Sequence, residues 1–220
     1  MNRNQRTNGL NCSCMIEGCQ RCYSNWREEN RRAAEHYDCD GKIEYLIIAE
    51  SPPCHHGKYI APYIYRIRWN EEGLKETGLL YPIMKSMERA GLLGAVPERK
   101  KDCLKQLDKN RIYVMDVCEY PVNKMPSFVR KSALSHNVKD LSTRLQKLSL
   151  INNIITTIKR SENEIQSAVR KAGLHDVGML NLPFPRGPKN QEEFINRLSR
   201  FFENYPAKGN ESGMHSRKGP

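Results

Sequence analysis

The chain has 220 residues, 38% of them hydrophobic, which suits one domain with a sizeable core and polar ends and requires no second domain. Lys and Arg outnumber Asp and Glu by 36 to 25, giving a net charge of +11, a balance suited to polyanions such as nucleic acid and equally to plain solubility. No run of 18 apolar residues occurs and the N-terminus is polar, so a spanning helix is excluded and a soluble, cytoplasmic protein with no membrane partner is expected.

Residues 1–42 read as a cysteine-rich, metal-binding N-terminal arm. Four of the eight cysteines, Cys12, Cys14, Cys19 and Cys22, fall in the pattern C-x-C-x4-C-x2-C around Gly18. A chain without a signal-like stretch is not expected to form structural disulfides, so thiolate ligation of zinc or an iron–sulfur cluster is the better reading of that spacing. Cys39, Cys54 and Cys103 stand alone and read as small buried apolar residues. His55 and His56 beside Cys54 lack further ligands at metal-binding spacing.

From residue 43 short apolar runs alternate with longer periodic ones. Strands are expected at 43–49, 111–117, 151–157 and 177–181. Leu80, Ile83, Met84 and Met87 mark a helix ending near Gly91, and Leu134, Val138, Leu141, Leu145 and Leu148 mark a second. Ser161 with Glu164 spells a capping box for a third helix that reaches Lys171 ahead of Gly173, and a fourth is expected over residues 191–204. The alternation predicts a three-layer α/β/α domain over residues 43–205 with a four-stranded, mostly parallel sheet. Residues 206–220 carry Gly, Ser, Lys and Arg without periodicity and read as a disordered basic tail.

Two proline-bearing segments follow predicted strands: Glu50-Ser51-Pro52-Pro53 and Leu182-Pro183-Phe184-Pro185-Arg186-Gly187-Pro188. Proline fixes φ and removes a donor, so both should be rigid loops, placed at the carboxyl strand ends where open α/β sheets bind ligands. A further strand end brings Asp116, Asn123 and Lys124 to the same edge. In Lys58–Trp69, aromatic residues that include Tyr63 and Tyr65 interleave with charge, which fits base stacking between phosphate contacts and equally fits an amphipathic edge strand.

These residues resemble the uracil-DNA glycosylase superfamily, closest to its iron–sulfur branch, over roughly residues 19–200. Cys19-Gln20-Arg21-Cys22 is similar to that branch's N-terminal CxxC, and Ala49-Glu50-Ser51-Pro52-Pro53 to its Gly-Glu-Ala-Pro-Gly. Cys118-Glu119-Tyr120-Pro121-Val122-Asn123-Lys124 resembles the segment after the base-reading strand, and Leu182 to Pro188 resembles the His-Pro-Ser-Pro-Arg-Asn-Pro loop of a related branch. The resemblance implies a monomeric DNA-binding protein of DNA repair, a hydrolase that cleaves the N-glycosidic bond of a flipped base.

By the same resemblance Glu50 is the catalytic carboxylate, with Asn123 beside it in the catalytic set. Ser51 and Pro52 belong to the substrate loop. Tyr63 or Tyr65 stacks on the base, Asp116 reads it, Lys124 lies alongside, and Pro183, Phe184 and Arg186 press on the DNA. Cys118 would join the cluster ligands, with Cys12 or Cys14 completing a set with Cys19 and Cys22, whereas the four N-terminal cysteines alone would close a zinc site.

Two departures bear on activity. Leu182 stands where the family has a histidine that stabilises the leaving base, a loss on the order of 100-fold in rate unless Arg186 or Lys124 supplies the donor. Asp116 stands where the family has an amide, and an ionised carboxylate accepts but does not donate. The alternative is therefore a non-catalytic protein on the same fold that binds DNA, RNA or a free nucleotide.

Overall fold

The computed structural model describes residues 42–52, 64–65, 78–122, 125–148 and 150–206. Four strands form one sheet: β1 (Ile43–Ala49), β2 (Ile112–Asp116), β3 (Ile151–Thr156) and β4 (Gly178–Asn181). Their order is β2-β1-β3-β4 and every pairing is parallel. All seven residues of β1 are buried, because a central strand of a parallel sheet is covered on both faces.

Among the described residues, two helices connect β1 to β2: α1 (Leu80–Arg89) and α2 (Lys100–Lys109). After β2 comes α3 (Ser127–Gln146), after β3 a 3-10 turn (Lys159–Ser161) and α4 (Glu162–Lys171), and after β4 α5 (Pro188–Asn204). One apolar layer joins Tyr45 and Ile47 to Met84 and Met87 of α1, Leu104 and Leu107 of α2, and Phe194, Leu198 and Phe202 of α5. The opposite layer joins Leu46 and Ile48 to Leu134 and Leu141 of α3 and to Ile165 and Val169 of α4. The three-layer α/β/α architecture is thus the expected one. Each fully buried side chain of this size contributes about 1.5–3 kcal/mol.

Several boundaries differ from the sequence reading. α3 starts at Ser127, seven residues before its first buried leucine, and α5 starts at Pro188, whose missing N–H costs nothing at a helix start. The buried apolar residues of α2 are Cys103, Leu104 and Leu107, a stripe too short to stand out in a lysine-rich segment. Ser161 does occupy the N-cap of α4, yet its side chain makes no capping bond there. At the other end Gly173 adopts φ 82°, the left-handed conformation expected just past a helix.

β1 and β3 are neighbours whose connections leave in opposite directions, to α1 and α4 respectively. That reversal makes the carboxyl ends of β1 and β3 a topological switch point, the place where open α/β sheets form their ligand crevice. Residues 1–41 of the N-terminal arm, the Lys58–Tyr63 and Arg66–Trp69 parts of the aromatic run, and residues 207–220 lie outside the described residues.

Candidate functional site at the carboxyl edge of the sheet

β1 ends in Ala49 and the chain leaves through Glu50, Ser51 and Pro52. Pairing with the neighbouring strand continues past the regular sheet: Val117 N–H donates to Ala49 O at 2.8 Å and Cys118 N–H to Glu50 O at 2.9 Å. Val122 N–H then donates to Ser51 Oγ at 3.3 Å. The loops after β1 and β2 are therefore stitched together, and Glu50 and Asp116 sit on adjacent strand ends, Asp116 level with Ala49.

Glu50 has both carboxylate oxygens engaged. Arg130, in the first turn of α3, donates from Nε to Oε1 and from Nη2 to Oε2. The side chains are 32% and 19% exposed for Arg130 and Glu50, so this fork lies in a partly desolvated setting where charge-assisted bonds are strong.

Asp116 is different. It is half-buried, and among the described residues its carboxyl group receives no hydrogen bond. Removal from water pushes its pKa up to about 7; Arg144 nearby pulls the other way, and the negative charge of Glu50 adds to the rise. Arg144 also braces the strand end, its Nη1 donating to Asp116 O at 2.8 Å and its Nη2 to Val117 O at 2.6 Å. Its Nε is buried and has no hydrogen-bond partner among the described residues.

Arg130 and Arg144 escaped the sequence reading. Fourteen residues apart, they lie on nearly one face of α3 and in the register of Leu134, Leu141 and Leu145, which are buried. An arginine falling at core-face spacing is the signal that could have found them, because a charge is carried inward only toward a partner.

Cys118 is fully buried in the apolar layer against α3. Burial, reinforced by the charges of Glu50 and Asp116, pushes its thiol up to about 12. Cys12, Cys14, Cys19 and Cys22 lie outside the described residues, and among the described residues no group of three or more His, Cys, Asp or Glu could hold a metal ion.

Across the crevice, Thr156 Oγ1 donates to Asn181 Oδ1, and Asn181 Nδ2 donates to Glu162 Oε1 at the start of α4. Arg197 of α5 completes this side by donating to Asn181 O at 2.7 Å. These polar residues at the β3 and β4 ends were likewise not singled out, since Thr and Asn in a short strand carry no signal of their own. The two proline loops do not adjoin: the end of β3, with Thr156 and Thr157, stands between them.

Leu182 is 2% exposed and its side chain packs in the α1–α5 core, its N–H donating to Thr156 O at 2.8 Å. Pro183 is half-buried, whereas Phe184 and Arg186 are exposed. Pro52, in the segment that leaves β1, is buried. Asn123, Lys124 and Tyr63 lie outside the described residues.

Tyr65, expected to stack on a base, is instead part of the core. It is 2% exposed, its ring stacks on Tyr113 at 5.7 Å, and its hydroxyl accepts the N–H of Val114 at 2.6 Å. β2 is an edge strand, so this hydroxyl satisfies an edge N–H that the sheet leaves open. No protein-family model matches the chain, and no curated protein matches it.

Proposed function

We propose that this chain is a nucleic-acid-binding protein of the uracil-DNA glycosylase type that accepts an extruded base at the carboxyl edge of its sheet, with Asp116 as the group that reads the base. One observation carries the reading. Of the two carboxyl groups on adjacent strand ends, Glu50 is held by Arg130, while Asp116 has no hydrogen bond to its carboxyl group among the described residues.

The chemistry of Asp116 follows from its pKa near 7. Ionised, it accepts two bonds and suits an amino-bearing edge, as in adenine or cytosine. Protonated, it presents one O–H donor and one carbonyl acceptor, the same pattern an amide offers, and suits an imide edge such as that of uracil. The net charge of +11 supports phosphate contacts around such a base.

A second reading adds base excision. Glu50 lies close enough to raise the pKa of Asp116, and paired carboxylates held in different environments are a recurring acid–base arrangement. In that reading the glycosidic C1′–N bond breaks with its electron pair leaving on the base, which departs as its anion; Glu50, paired with Arg130, faces the developing positive charge on the sugar, and Asp116 takes the proton of the water whose oxygen bonds to C1′.

The test is a panel of single-stranded and duplex oligonucleotides carrying uracil, hypoxanthine or xanthine, incubated with the full chain and then treated with alkali. Strand cleavage abolished by Asp116→Ala establishes excision. Binding without cleavage, weakened by Asp116→Ala, establishes the binder, and failure to bind any oligonucleotide overturns both.

A further inference from the structure

Phe128 has no structural task that its position explains. It lies in the first turn of α3, directly after Pro126 and Ser127, and is 77% exposed, the most exposed large apolar side chain among the described residues. A second aromatic, Phe184, projects from the loop after β4 at 44% exposure. Both lie on the carboxyl rim of the sheet: Phe184 follows the end of β4, and Phe128 sits two residues before Arg130, which binds Glu50 at the end of β1.

Glu50 and Asp116 lie on the same rim, at the ends of β1 and β2. The surroundings are cationic: Lys131 is exposed one turn from Phe128, and Arg186 and Lys189 are exposed beside Phe184. The first turns of α3 and α5 contain no acidic residue, whereas α4, which starts on the same rim, has Glu162 and Glu164 there.

We propose that Phe128 is a second nucleic-acid contact, a stacking platform at the start of α3 that works with Phe184 to hold one strand along the carboxyl rim; this rests on the reading of the chain as a nucleic-acid binder. Bases stack on aromatic faces with little regard to sequence, and phosphates meet flanking cations, which is the chemistry that single strands use on such platforms. A polyanion fits this rim better than an apolar partner does, because exposed cations border each aromatic.

The experiment measures binding of a fluorescein-labelled single strand to the full chain by anisotropy, alongside the emission of a strand carrying 2-aminopurine. Phe128→Ala is expected to weaken binding about tenfold or more and to reduce the 2-aminopurine change, with Phe128→Trp restoring both. Leu150→Ala, at a site 70% exposed but on the amino edge before β3, is expected to change neither. Parent-like binding and emission in Phe128→Ala, or equal weakening by Leu150→Ala, overturns the inference and leaves the nucleic-acid reading standing. Absence of binding by the parent chain overturns that reading and this inference with it.

Discussion

Arg130 and Glu50, eighty positions apart in sequence, form a two-pronged ion pair that ties the start of α3 to the end of β1. The pair fixes the loop that borders the crevice and occupies the more obvious carboxylate of the site. Asp116, one strand over, is left as the carboxyl group able to meet a ligand.

Removing one partner of that fork leaves a partly desolvated charge. Arg130→Ala is expected to cost about 1–3 kcal/mol in urea unfolding, and pairing it with Glu50→Gln should recover much of the loss. Because Glu50 raises the pKa of Asp116, Glu50→Gln alone should lower the Asp116 midpoint, read from its carboxyl carbon by NMR titration. An unmoved midpoint would show that the two carboxyl groups do not communicate.

Stability should fall with rising pH across the range set by Asp116. Its pKa is near 7 in the folded chain against an ordinary 3.8, so between those values the folded state binds more protons than the unfolded one. The full benefit of the protonated form is present below about pH 4 and is gone above about pH 7. Discounted for partial exposure, the change is on the order of 2 kcal/mol. Urea midpoints measured from pH 4 to 8 should show this slope in the parent and lose it in Asp116→Asn.

Arg144 links α3 to the end of β2 through two carbonyl contacts. Arg144→Met leaves those carbonyls without their donors and should cost about 2–3 kcal/mol. It should also raise the Asp116 midpoint, since Arg144 lowers it. Lysine keeps the charge but not the fork, so Arg144→Lys should fall between the two in both readouts.

Tyr65→Phe separates a core role from a ligand role. The substitution keeps the ring against Tyr113 but removes the acceptor of Val114 N–H, so about 1–2 kcal/mol of stability should be lost. Oligonucleotide affinity at a fixed, stabilising temperature should match the parent.

The layers of the fold were legible because burial writes itself into sequence as period. The seven-residue run of β1 could hardly be anything but a central strand, and the leucines of α3 repeat at helical spacing. α2 was not legible, since three apolar positions among lysines are too few to form a pattern. At the site, Glu50 and Asp116 were found because each closes a strand. Arg130 and Arg144 were not: their spacing on the core face of α3 marks them as turned inward, but nothing local names the partners, Glu50 eighty positions away and the Asp116 and Val117 carbonyls. Tyr65 was misread for a related reason: an aromatic residue between charges looks the same whether its ring faces a base or an edge strand.

The most direct test of the central claim is the affinity of the full chain for a fluorescein-labelled single strand with one central base, compared with the same strand lacking that base, across a salt series. The account predicts binding that weakens steeply with salt, tighter binding of the strand that carries the base, and loss of that preference in Asp116→Ala. Equal affinity for the two strands, or a preference that survives Asp116→Ala, would contradict it.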